Sequence, residues 1–292
     1  MTMFSFNHAA MRPSSPARNP STSSADRQPF AVRIAADALV IAGILALFGL
    51  IAWILPAIGE PIGPKGVPSS VSTNLADLPY YALRSVFRMF VALFFSLVFT
   101  FVYGTTAARC RRLSRVLIPL LDILQSVPIL GFLSATITIW MVMFPGSMLS
   151  VEAASIFAIF TSQAWNMAFS FTRSLTSEPR ELDEAARSLR LTRWQRFWTL
   201  DVPNAMIPLL WNCMMSVGGG WFFLTASEMI SVNNHTYALP GIGSFVAQAA
   251  AEENLAAICW AIVTMVAAVL LIDVLLWKPL TAWAENARPV RC

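Results

Sequence analysis

Apolar residues run along this chain in long charge-free windows, at 38–57, 89–108, 123–150, 153–172, 204–227 and 255–272. Each reaches across the hydrocarbon core of a bilayer, which takes about 20 residues of α-helix. A helix also satisfies its own backbone amides and carbonyls, as lipid requires. The pattern therefore predicts six membrane-spanning helices. Pro128 and Pro145 make the 123–150 window the least regular, because proline removes a helical hydrogen bond. The stretch PAIGEPIGPKGVPSS at 56–70 separates the first two windows and reads as turn. Residues 1–30, with repeated Ser, Pro, Arg and Asn, read as a disordered tail. Residues 31–57 read as the first helix, an uncleaved anchor whose apolar run is too long for a signal-peptide core.

Composition agrees with that pattern. Charged residues make up 12% of the chain, hydrophobic residues 57%, and the mean hydropathy is +0.62. So few polar groups would not cover the surface of a soluble globule of this size. The formal net charge of +4 is parcelled among short loops, which argues against a nucleic-acid surface. Cys110, Cys213, Cys259 and Cys292 lack the spacing of a disulfide framework or a zinc site, and the histidines are His8 and His235. No serine–histidine, cysteine–histidine or paired-carboxylate arrangement stands out, so the chain does not read as an enzyme.

Charge asymmetry gives the orientation. Of the 20 lysines and arginines, seventeen fall on one side of the predicted spans. They are Arg12, Arg18, Arg27 and Arg33 in the tail, Arg109, Arg111, Arg112 and Arg115 after the second span, six arginines in the 173–203 loop, and Lys278, Arg288 and Arg291 at the end. The other side holds Lys65, Arg84 and Arg88, while its loops carry Glu60, Asp77, Glu152, Glu252 and Glu253. Both termini and the 173–203 loop are expected in the cytoplasm.

That loop is amphipathic. Ser177 before Glu178 and Pro179 predicts a helix start, with Ser177 as N-cap. Acidic Glu178, Glu181, Asp183 and Glu184 come early and Arg187 and Arg190 late, which suits the helix dipole. Leu182, Ala185, Ala186 and Leu189 share one narrow face. Thr192 to Gln195 has the spacing of a capping box opening a second short helix with Trp194, Phe197 and Trp198 on its apolar side. Asp201-Val202-Pro203 is expected to stop it and turn the chain into the fifth span. Two uses fit this pattern: a hairpin anchored on lipid, or an element that docks on a partner.

The same residues resemble the "EAA" signature of permease subunits in binding-protein-dependent ATP-binding-cassette (ABC) importers. Glu184, Ala185 and Ala186 match its first part and Val202-Pro203 its later Leu-Pro, while Arg190 stands where the signature has glycine. The blocks LDILQSVPILGFLS (121–134), FAIFTSQAWNMAFSF (157–171), GGWFFLTASE (219–228) and LPGIGSF (239–245) are similar to anion-type permeases of the nitrate, sulfonate and bicarbonate kind. In many of these, two permease halves are fused. The similarity runs over 75–286 and is to the amino-terminal half, where arginine at the glycine position is usual.

The resemblance implies an all-α integral membrane protein, a six-span ABC importer permease of type I, MetI-like, with cytoplasmic coupling helices, in a bacterial inner membrane. It implies that the 177–203 loop seats on a separate ATPase, with Glu184, Ala185, Ala186, Arg190 and Pro203 as coupling residues and Glu184 as the acidic contact. The implied partners are two ATPase subunits, a second permease subunit (a separate half or a second copy) and a periplasmic binding protein. The implied substrate is a small anion. The chain lacks a phosphate loop, since GEPIGPK at 59–65 fails the spacing, so ATP and Mg²⁺ would be bound by the partner and no cofactor by this chain. An ATP-independent secondary transporter or channel is the alternative.

Polar residues inside spans are candidates for the transport route, because each costs a few kcal/mol in lipid. Arg84 and Arg88, four apart at the mouth of the second span, suit either an anionic substrate or headgroup anchoring. Gln163 and Asn166, with Ser162 and Trp165, are the most polar stretch within a span, fit for helix–helix hydrogen bonds or for lining a route. Glu228 and Asp273 lie near span ends, where a structural role is favoured, and Asp122 is expected to cap the start of the third span. Gly218-Gly219-Gly220 permits close packing or a hinge.

Overall fold

The computed structural model describes residues 70–286, apart from 127–128, 146 and 233–234. The expected 1–30 tail and the 38–57 window lie outside those residues. After a short 3₁₀ turn at Leu75–Asp77 come α1 (Leu78–Arg109), α2 (Arg111–Ser126), α3 (Ile129–Met143) and α4 (Leu149–Thr176). The loop that follows holds α5 (Arg180–Ser188) and α6 (Arg193–Arg196). Then come α7 (Val202–Glu228), the antiparallel strands β1 (Met229–Val232) and β2 (His235–Ala238), α8 (Ile242–Ala251), α9 (Leu255–Ile272) and α10 (Lys278–Asn286). The chain is helical as expected, with one small hairpin added. The hairpin pairs Met229 with Ala238 and Ile230 with Tyr237.

Among the described residues three helical stretches are long and apolar enough to cross a membrane: Leu75–Arg109, Arg193–Glu228 and Leu255–Glu285. They contain the windows 89–108, 204–227 and 255–272. The 153–172 window lies within α4, whose 28 residues span about 42 Å at 1.5 Å per residue. The 123–150 window is not helical throughout: α2 is described to Ser126, and α3, described from Ile129, stops at Met143. Pro145 lies just past that stop, where a proline ends a helix. Asp122 sits well inside α2, near Gln125, and is not a cap.

The core lies where α1, α4 and α7 meet. Met89, Ala92, Ile159, Met167, Phe171, Leu224 and Phe245 are fully buried there. Small residues bring the helices close. A Cβ on Gly104 would lie 2.6 Å from Cδ1 of Phe171, and one on Gly220 would lie 2.9 Å from the sulfur of Met89. Gly218 and Gly219 face open space instead, so only the third glycine of the triplet serves packing. Phe101, Phe171 and Phe197 form an aromatic cluster with centroids 5.3–6.5 Å apart, tying the start of the α7 segment to α1 and α4.

The chain does not break at Asp201-Val202-Pro203. A π-helical turn at Phe197–Asp201 joins α6 to α7, making one helical stretch from Arg193 to Glu228. Pro203 lies near the start of α7, directly after the π-helical turn, and donates no backbone hydrogen bond there. The helix start also differs from expectation. Ser177 closes α4, its N–H bonded to the Arg173 carbonyl, and α5 begins after Pro179, whose backbone is extended (ψ 141°). The Thr192 capping box is present in full: Gln195 N–H donates to Thr192 Oγ1 at 3.3 Å and Thr192 N–H to Gln195 Oε1 at 3.0 Å.

Candidate functional site

Two clusters of charge flank the α1–α4–α7 core. One lies beside the 177–203 loop, here the loop end, and the other at the opposite, far end.

At the far end, α1 carries Arg84 and Arg88 one turn apart on its buried face. The Arg88 Nε donates to Glu152 Oε2 at 2.5 Å and its Nη1 to Glu228 Oε1 at 2.8 Å. Arg84 pairs with Glu152 and also donates to the Tyr80 hydroxyl at 3.1 Å. All four charged side chains are almost wholly buried and balance to zero. Burial of an isolated ion would be prohibitive, so the cluster holds only as a set. Glu228 also accepts Ser85 Oγ at 2.5 Å and the Gly243 N–H at 2.6 Å, while Arg88 donates to the Pro240 carbonyl at 3.0 Å. These bonds fasten the Leu239–Gly243 stretch onto the helix ends. Two glycines allow the approach: a Cβ on Gly241 would sit 2.2 Å from the Glu228 carboxylate, and one on Gly243 2.5 Å from Thr225 Cα.

At the loop end, Arg109 closes α1 and bridges Glu178 Oε2 at 2.8 Å and Asp201 Oδ1 at 2.5 Å. Arg196 of α6 adds Asp183 at 2.6 Å and Glu178 at 3.1 Å, and Asp183 meets Arg187 one turn on at 2.7 Å. The hydrogen bond from Arg196 holds the Asp183 carboxyl below its ordinary range, with Arg187 adding to the effect. These ties seat the loop on the ends of α1 and α7.

The loop itself ends α5 in a Schellman motif. Arg190 N–H reaches the Arg187 carbonyl at 3.0 Å and Leu191 N–H the Ala186 carbonyl at 3.1 Å. Arg190 takes φ 50°, the left-handed region in which glycine is favoured. Its face is narrower than the sequence pattern suggests: Ala186 is buried and Leu182 half-buried, while Ala185 and Leu189 are exposed. Of the three aromatics, Phe197 turns to the core and Trp194 and Trp198 stay exposed. Glu184, Ala185, Arg190 and Pro203 lie on the outside of the loop.

The other candidates separate. Gln163 is fully buried, its Nε2 3.2 Å from the Met89 sulfur, whereas Asn166 is exposed on α4. Arg84, Arg88 and Glu228 converge on one site, and Glu152 joins them. The charge pattern puts Glu152 in a loop; the signal for its buried place is the arginine pair four apart, which needs carboxylates at the same depth. Asp273 pairs locally with Lys278 at 3.6 Å. Among the described residues no group of His, Cys, Asp and Glu could hold a metal ion.

Comparison with known proteins adds an independent line. The family described as the inner membrane component of binding-protein-dependent transport systems matches residues 100–276. The taurine transport system permease protein TauC of Escherichia coli is 26% identical over 190 residues, 65% of this chain and 62% of that protein. The nitrate import permease protein NrtB of Synechocystis sp. is 22% identical over 112 residues, 38% of each chain. The bicarbonate transport system permease protein CmpB of the same organism is 24% identical over 122 residues, 42% of each. The chain thus spans less than two thirds of the length of these relatives. Among solved structures, the methionine ABC transporter MetNI in an inward-facing conformation superposes with a TM-score of 0.59 at 19% identity, covering 73% of this chain and 97% of that one. A second crystal form gives 0.54 at 18% identity, over 72% and 97%. At that identity the likeness speaks for the fold.

Proposed function

We propose, from the premise that this chain belongs to the family of inner membrane components of binding-protein-dependent transport systems, that it couples a separate ATPase to import of a small anion. That it is a permease subunit of an ABC importer follows from the family and its relatives. The coupling, the substrate class and the assembly are our reading.

One observation carries the coupling. The 177–203 loop leaves Glu184 and Ala185 outward on a short helix held by buried Ala186 and the Asp183–Arg196 pair, in a loop seated by Phe197 and the Arg109–Glu178–Asp201 ties. A rigidly seated projection with a small, acidic tip suits a partner's groove better than a flexible lipid anchor. Arg190 turns the chain behind that tip and Pro203 starts α7. ATP and Mg²⁺ belong to the partner subunits, and a second permease and a periplasmic binding protein complete the assembly. The loop end faces the cytoplasm, with both termini, as the distribution of arginine and lysine indicates. Taurine, nitrate and bicarbonate permeases among the relatives support an anionic substrate. In this reading Arg84, Arg88, Gln163 and Glu228 hold the fold, and Asn166 is the candidate left for the route.

The test is Glu184→Ala with Ala185→Asp, both outward-facing, which spares buried Ala186. The tagged parent should co-purify with an ATPase subunit, and the double variant should insert normally but lose that partner. Uptake of labelled taurine, nitrate or bicarbonate that persists after ATP depletion would refute the reading in favour of a secondary transporter or channel.

A further inference from the structure

The two charge clusters share a plan. At the far end an arginine of α1 joins a carboxylate of α4 to one of α7: Arg88 meets Glu152 at 2.5 Å and Glu228 at 2.8 Å. At the loop end the same three helices are joined in the same sense. Arg109, the last residue of α1, meets Glu178, two residues past α4, at 2.8 Å and Asp201, just before α7, at 2.5 Å. The two bridging arginines are 21 residues apart on one helix, roughly 32 Å.

A single tie would let packed helices pivot about it. Ties at both ends fix their relative tilt and rotation, and the far-end tie is almost fully buried. Parting it would leave unpaired charges in a medium that does not solvate them. By contrast α3 and α9 contain no charged residue, so no ion pair bolts them to these helices. The far-end cluster also grips the Leu239–Gly243 stretch through Pro240 O, Gly243 N–H and the Ser85 bond to Ile242 N–H at 3.0 Å.

We propose that α1, α4 and α7 are bolted at both ends into one lever, with Arg88 and Arg109 as positioning residues. Displacement of the 177–203 loop thereby reaches the Leu239–Gly243 stretch undiminished. This rests on the proposed seating of the loop on an ATPase, but its test is separate.

Spin labels are placed at Val98 on α1 and Met215 on α7, both exposed, in a chain whose four cysteines are replaced by alanine. The complex with its co-purified ATPase is measured in lipid nanodiscs, without nucleotide and with ATP plus vanadate. In the parent, the 98–215 distance should be the same in both conditions. In Arg88→Met with Glu228→Gln, which leaves Arg84 and Glu152 paired, the distance should shift or split when ATP is added. Should that variant fail to assemble, Arg109→Met with Asp201→Asn loosens the other end, leaves Glu178 with Arg196, and should give the same splitting. A parent distance that moves with ATP, or an assembled variant that behaves as the parent, overturns the proposal. Absence of any co-purified ATPase would instead strike at the docking reading.

Discussion

Arg190 offers the sharpest quantitative test of how the loop is built. Its φ of 50° puts an L-residue in the left-handed region, where the side chain crowds its own backbone. Two hydrogen bonds hold it there, from Arg190 N–H to Arg187 O at 3.0 Å and from Leu191 N–H to Ala186 O at 3.1 Å. Glycine relieves the crowding, worth about 1–2 kcal/mol, but gives back about 0.4–1 kcal/mol because the opened loop is freer. The net gain of Arg190→Gly over Arg190→Ala should be about 1 kcal/mol, roughly a fivefold change in the closing equilibrium. Since the Arg190 side chain is exposed, Arg190→Ala should stay close to the parent. Hydrogen exchange of amides 185–191 in nanodiscs reads that equilibrium directly. Glycine should slow exchange about fivefold relative to alanine. Equal rates, or slower exchange with alanine, would show that the backbone conformation at 190 does not control the loop.

Further outcomes are expected from packing and charge. Gly104→Ala places a methyl 2.6 Å from Phe171 and 3.2 Å from Thr172 Oγ1, so thermal unfolding should report a loss of about 1–3 kcal/mol. Gly219→Ala enters open space and should instead gain up to about 1 kcal/mol from helix propensity. Asp183 is held below its ordinary carboxylate range by Arg196, so its contribution is complete above about pH 4 and disappears as pH falls through the lowered value. Exchange protection over 180–196, corrected for intrinsic rates, should therefore stay level from about pH 7 to 5 and fall only below about pH 4. Asp183→Asn should abolish that acid limb.

What could be read from the chain follows the range of the forces involved. The capping box at Thr192 and the helical class depend on neighbours within a few residues, and both appear as expected. The Asp201-Val202-Pro203 stop failed because a proline near a helix start and one near a helix end look alike locally. The aromatic contacts of Phe197 with Phe101 and Phe171, which carry the chain onward, join residues far apart in sequence. Glu152 escaped for the same reason: its partner Arg88 lies 64 residues away. The arginine pair gave notice of a carboxylate at that depth without saying which.

The buried cluster also bears on the charge count. Arg84 and Arg88 look like two of the three basic residues on the sparsely charged side, and so like exceptions to the cytoplasmic bias. Each is matched by a buried glutamate within hydrogen-bonding distance, so the pair adds no net charge to that face. The orienting bias is a count of lysines and arginines, not of net charge, so the glutamates do not cancel the pair; the four arginines at 109–115 and the six at 173–203 sit at or near the loop end. The sparse side thus keeps Lys65, Arg84 and Arg88 against seventeen. What the structure adds is that Arg84 and Arg88 are held by ion pairs inside the fold, while the seventeen-to-three count carries the proposed orientation.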